Sequence, residues 1–236
     1  MRRAEISTTR FLIEFDGRQT TGIAYPADPE RRLGATLVLA HGAGAGQTSR
    51  FMVNFAEGLS ARGIDVLTFN FFYTEQKRKV PDRPDVLEAC YRAVIAAARS
   101  YAPFEGNKVF IGGKSMGGRI ASQLAAAGDA TAAAISGLVL LGYPLHPPGK
   151  PEQLRVAHLP DVRVPVLVVQ GERDPFGSPD ELRPHFAKAA APVTLRAIER
   201  GNHSLAPPKG GARSADQVHG EIQDTIAAWI TDLSRT

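Results

Sequence analysis

The 236-residue sequence predicts an α/β protein: a mostly parallel central sheet with helices on both of its faces. Three observations carry that expectation. Short runs that are apolar nearly throughout recur along the chain, as strands buried on both faces do. Amphipathic helical patterns separate most of them. The first 26 residues depart from this alternation and show two extended segments around a turn.

The elements follow in order. In "RFLIEFDGRQTTGIAY" the Asp16-Gly17 pair is a hairpin signal, so two antiparallel strands are expected at one sheet edge. "ATLVLA" (35–40) is the first buried strand. Phe51, Phe55 and Leu59 recur every four residues and predict a helix. "DVLTFNF" (65–71) is the next strand. Pro84 can open the helix that holds Cys90. With Val86 and Val94 four positions either side, Cys90 reads as a core thiol. The strand "VFIGG" (109–113) precedes a helix marked by Met116, Ile120 and Leu124. "LVLLG" (138–142) leads into the Pro-rich loop "YPLHPPGKPEQ" (143–153). "VLVVQG" (166–171) is a buried strand, and the less apolar "VTLRAI" (193–198) belongs nearer an edge. A last helix places Val218, Ile222, Ile226 and Trp229 on one face. Only about two dozen residues separate Leu141 from Val166, too few for a lid domain, so residues 1–236 read as one domain.

Composition excludes several classes. The formal net charge of +4 comes from arginines spread along the chain, which does not argue for nucleic acid. One cysteine precludes an intramolecular disulfide. "MRRAEISTTR" carries no apolar stretch behind its basic residues, and no apolar run approaches 18 residues. The expectation is a cytoplasmic protein with no membrane partner, no metal and no cofactor; nothing fixes its oligomeric state.

The chemistry gathers at "VFIGGKSMGGRIAS" (109–122). Gly113-Lys114-Ser115-Met116-Gly117 is a G-x-S-x-G sequence between a strand and a helix, the context that motif requires. The chain must turn sharply there, which leaves little room for side chains two positions either side of Ser115. The Met116 N–H, at the helix start, can face a developing oxyanion. A phosphate-binding loop ending in Gly113-Lys114-Ser115 is rejected, because it needs glycine where the chain has Lys108.

A serine hydroxyl needs a base, and the base an orienting acid. On this type of fold they follow in the order Ser, acid, His, each after a strand. His41 precedes the serine, His146 and His158 come too early, and His185 and His219 fall in helices. His203, in a Gly-Asn turn after 193–198, remains. Asp174, in the loop after 166–171, is the matching acid; Asp161 comes before that strand, and Asp180 reads as a helix cap. The second oxyanion donor belongs to "HGAGAG" (41–46), with the Ala43 N–H favoured over that of Gly44. This stretch is not a dinucleotide fingerprint, since position 47 is Gln. Phe72, Tyr73, His146 and Phe176 are candidate pocket walls; Phe71 reads equally as core, and Arg50 as a solvated side chain.

"HGAGAG", "GGKSMGG", "GERDPFG" and "GNHSL", in that order, resemble the α/β-hydrolase superfamily over nearly the whole chain. The sequence looks most like its small, lidless dienelactone-hydrolase-like members and the KANL/Tex-type group with an H-G-A-G loop. The resemblance implies a nucleophile at Ser115, an acid at Asp174 and a base at His203. Dienelactone hydrolases proper use cysteine where this chain has serine. The expected activity is hydrolysis of an ester or thioester of a small acyl substrate through an acyl-enzyme. The alternatives are a catalytically silent binding protein of the same fold, or a peptidase or acyltransferase on the same triad.

Overall fold

A computed structural model describes residues 8–208 and 210–235. Most of the stretch 1–10 read above therefore lies outside the described residues. Eight strands form one sheet in the order β1-β2-β4-β3-β5-β6-β7-β8. They are β1 (Thr9–Phe15), β2 (Arg18–Tyr25), β3 (Ala35–Ala40), β4 (Asp65–Phe69), β5 (Lys108–Lys114), β6 (Gly137–Leu141), β7 (Val166–Gly171) and β8 (Val193–Ile198). Every pairing from β4 to β8 is parallel; β1 with β2 and β2 with β4 are antiparallel. The expected edge hairpin is present, and Asp16 and Gly17 turn it with φ of +45° and +69°, the left-handed pair that matches strand twist. The weaker apolar run, β8, closes the opposite edge.

The helices are α1 (Arg50–Ser60), a short α2 (Phe72–Glu75), α3 (Pro84–Ser100), α4 (Met116–Ala126), a short α5 (Ala130–Ala133), α6 (Pro179–Phe186) and α7 (Ala215–Ser234). Alternating strand residues feed two cores. Val38, Leu138, Leu140 and Val168 face α3, α4 and α6, with Tyr91, Val94 and Ile120. Leu37, Val139, Leu167 and Val169 face α1 and α7, with Met52, Phe55 and Ile222. Period-two alternation along strands that are apolar at nearly every position thus fills both faces. Cys90 is fully buried in the first core, and burial pushes its thiol up to about 12.

Two expectations need correction. The fourth strand stops at Phe69, not residue 71. Asn70 and Phe71 are taken by the neighbouring loop, and the chain turns into α2. Asp180 does not cap α6: Ser178 does, in a capping box with Glu181, and Asp180 sits in the first turn paired with Arg183. Residues 142–165 join β6 to β7, and among the described residues this connection contains no helix beyond the single turn Leu159–Asp161. No helix of the described residues is long and apolar enough to cross a membrane.

Candidate active site

The carboxyl ends of β3, β5, β7 and β8 bring the sequence-predicted residues together. Ser115 sits between β5 and α4 with φ +52° and ψ −117°, a strained conformation for a residue with a side chain. Its backbone N–H is held by the Leu141 carbonyl at 3.0 Å. The flanking glycines are required by contact: a Cβ on Gly113 or Gly117 would lie 2.6 Å from the Ala40 carbonyl oxygen. Only hydrogen atoms fit where the turn presses against β3.

His203 is presented by a turn that Asn202 closes, its Oδ1 accepting from the N–H groups of Ser204 and Ala206. His219 of α7 reaches the Ser204 carbonyl at 3.0 Å and braces this turn from behind. His203 Nε2 lies 2.9 Å from Ser115 Oγ, and Nδ1 lies 2.7 Å from Asp174 Oδ2. A carboxylate only accepts, so Nδ1 carries the proton and Nε2 accepts from the serine hydroxyl.

The Asp174 side chain is completely buried. Besides His203, its Oδ2 accepts from Gln170 Nε2 at 3.0 Å, and its Oδ1 accepts from the Phe176 N–H at 2.9 Å. Gln170 also donates to the Gly177 carbonyl and exchanges hydrogen bonds with the backbone of Tyr143. It therefore fixes the loops after β6 and β7 together with the carboxylate. Sequence reasoning passed over Gln170; its signal was a single amide inside an apolar strand run.

The loop after β3 is built with equal care. His41 is buried; its Nδ1 contacts the Gly42 carbonyl at 2.8 Å, and its Nε2 accepts from the Phe71 N–H at 3.0 Å. Burial holds its pKa down to about 4, so the ring is neutral and works as a bracket. Asn70 Oδ1 accepts from the Gln47 N–H at 2.9 Å. Gly42 lies against the serine, where a Cβ would sit 3.4 Å from Ser115 Cβ. These ties present Ala43 to the cleft.

That cleft has a volume of about 420 Å³ and is lined by Ala43, Leu87, Ser115, Met116, Phe176 and His203, with prolines 81, 84 and 144 and charged residues Asp82, Arg119 and Arg155. Met116 opens α4, in the first turn, where backbone donors lack intrahelical acceptors. Gly44 does not line the cleft; its φ of +73° turns the loop away towards solvent.

Of the expected pocket walls, Phe176 alone is in place, its ring 4.3 Å from that of His203. Phe72 faces the other way, packing edge-on with Phe15 beneath the Arg18 guanidinium. Tyr73 is buried behind the loop after β3, with its ring against His41. His146 is buried too; its N–H donates to the Phe176 carbonyl and its ring lies 3.4 Å from Glu181. The turn into α2 and the tight β6–β7 connection, neither visible in the pattern, redirect these three. Arg50 is exposed beside Asp216, as expected.

Lys114, inside the G-x-S-x-G sequence, was also missed. Its ammonium is buried with no hydrogen-bond partner among the described residues, packed on Gly142 and 5.8 Å from the centre of the Phe51 ring. Burial pulls its pKa down to about 8, with the charge of Asp174 acting the other way. Among the described residues, no group of three or more His, Cys, Asp or Glu side chains is placed to hold a metal ion.

Known proteins share this architecture. A dienelactone hydrolase from Anabaena variabilis superposes with a TM-score of 0.77 at 17% identity, over 97% of this chain and 99% of that one. An α/β serine hydrolase without a lid, from Xanthomonas campestris, gives a TM-score of 0.71 at 19% identity, over 97% and 98%. In sequence, the chain is 33% identical over 129 residues to the quorum-quenching protein AidA of Acinetobacter baumannii. That match covers 52% of this chain and only 42% of the relative's length. Residues 34–231 match the family described as the alpha/beta hydrolase domain. With that match spanning most of its length, the chain belongs to the alpha/beta hydrolase family.

Proposed function

We propose that this chain is a hydrolase and cleaves an ester or thioester of a small acyl substrate through a Ser115–His203–Asp174 triad. The observation that carries the reading is the hydrogen-bonded line of 2.9 and 2.7 Å ending on a buried carboxylate, at the head of the cleft. Ser115 Oγ attacks the acyl carbon as its proton passes to His203 Nε2. Asp174 holds the ring in the productive tautomer and stabilises the imidazolium. The N–H groups of Met116 and Ala43 receive the charge that develops on the carbonyl oxygen. His203 then protonates the leaving alcohol or thiol. Water, deprotonated by His203, releases the acyl group and restores Ser115. The sequence of steps needs no cofactor. Residues 1–236 act as one domain in this reading.

Labelling with a fluorophosphonate, read by intact mass, tests it. Wild type should gain one adduct, and Ser115→Ala none. An unlabelled but folded wild type would sink the nucleophile assignment.

A further inference from the structure

Two guanidinium groups line the cleft beside the serine, and the hydrolytic steps above use neither. Arg119 lies four residues after Ser115, one turn along α4 on the same face, so its Cα is about 6 Å further along the axis. Its side chain is half-buried and makes no hydrogen bond or ion pair with any described residue. Arg155 arrives from the β6–β7 connection. Its backbone carbonyl accepts from Tyr143 Oη at 2.6 Å, and its guanidinium has one weak contact, the Pro144 carbonyl at 3.5 Å. The nearby acids do not neutralise the pair. Asp82, also in the cleft, accepts from the Tyr73 N–H and is paired with Arg78. Glu88 acts on Arg119 only at a distance. Burial and the like charge of Arg155 both disfavour the charged form of Arg119. Two like charges with most of their donors unmet, on the wall of a small cleft, are unfavourable until an anion bridges them.

We infer that Arg119 and Arg155 form an anion subsite, and that the substrate is an ester or thioester bearing a carboxylate a few atoms from the reacting carbonyl. The inference rests on the serine-hydrolase reading. A planar carboxylate suits guanidinium forks, and the remaining walls, Leu87, Met116, Phe176 and the prolines, would take the short apolar spacer.

The test compares kcat/KM for ethyl butyrate with that for monoethyl succinate, which carries the anion on the acyl side, and for carboxymethyl butyrate, which carries it on the alcohol side. Wild type should prefer one anionic ester by at least tenfold, mainly through KM, and the preference should shrink as salt rises. In Arg119→Gln and in Arg155→Gln the ratio of anionic to neutral kcat/KM should fall tenfold or more. The ratio is internal to each variant, so partial misfolding does not mimic the effect. Arg119→Glu should reverse the preference in favour of butyrylcholine. Should Ser115 label with fluorophosphonate while none of the esters turns over, succinate must slow that labelling more than butyramide does, in wild type but not in Arg119→Gln. Labelling or ethyl butyrate hydrolysis without any anionic preference overturns the subsite alone. No labelling and no hydrolysis overturns the serine-hydrolase reading, and the subsite with it.

Discussion

Two charged side chains are buried near His203, and they are treated in opposite ways. Asp174 has each oxygen occupied: His203 and Gln170 on one, the Phe176 N–H on the other. Lys114 has no partner for its ammonium beyond the face of Phe51 and the backbone of Gly142. Burying an ion costs several kcal/mol unless hydrogen bonds and opposite charge offset it. The carboxylate is compensated and so can be held still; the ammonium has no hydrogen bond among the described residues and only the charge of Asp174 in its favour, so it is kept at a cost in stability. One charge is supported for the position it holds, whereas the other is tolerated inside a turn whose backbone is already strained at Ser115.

The largest effect should come from the compensated side. Asp174→Asn keeps the shape but removes the acceptor that fixes the proton on His203 Nδ1, and kcat should fall by about 10⁴-fold. Steady-state kinetics on an activated ester measures this, with circular dichroism to establish folding. If kcat falls less than tenfold, the contrast between the two charges is one of packing and not of catalysis.

The uncompensated side should show in stability. The Lys114 pKa falls from 10.5 to about 8 on folding. Below pH 8 the group is charged in both states, so its burial cost, about 3 kcal/mol, is fully present. Between pH 8 and 10.5 the unfolded chain holds a proton that the folded chain has lost, so stability rises with pH. Lys114→Met should therefore be the more stable protein below pH 8, by up to that amount, and the gap should close towards pH 10.5. Urea denaturation from pH 6 to 10.5 follows it; a gap that does not vary with pH would mean that the charge is not what matters.

The smallest effect sharpens the comparison by uncompensating Asp174. Gln170→Leu leaves the carboxylate with one donor fewer and strands the Tyr143 N–H and the Gly177 carbonyl. Unmet buried polar groups cost about 1–3 kcal/mol each, so the unfolding free energy measured by urea denaturation should drop by an amount of that order. A loss in kcat of about tenfold should accompany it, because the carboxylate no longer has a fixed orientation. Unchanged stability would show that water replaces the amide.

Much of this arrangement was legible before the structure. Strands buried on both faces announce themselves by composition, so β3 and β5 to β7 fell within a residue of their expected ends, and the edge strand β8 did so from a weaker apolar run. Ser115, Asp174 and His203 could be ordered because each stands in a loop after a strand of the sheet. The cleft walls were harder, because lining a cleft depends on which way a side chain points after an irregular turn. Phe72 and Tyr73 are neighbours, yet the short α2 sends one under Arg18 and the other behind His41. Arg119 carried a readable signal, its four-residue spacing from Ser115 on one helix face. Arg155 carried none, since only the folded path of the β6–β7 connection brings it to the cleft. Ser178 was also readable as the α6 cap from Glu181 three residues on.

The core thiol has a practical corollary. Cys90 is the single cysteine of the chain, and at a pKa of about 12 only about one molecule in 10⁵ carries a thiolate at pH 7. To alkylating dyes and spin labels the native protein is therefore silent. A cysteine introduced at an exposed position, Leu154 for example, would be the one reactive handle, and the protein comes ready for single-site spectroscopy without first removing a native sulfur.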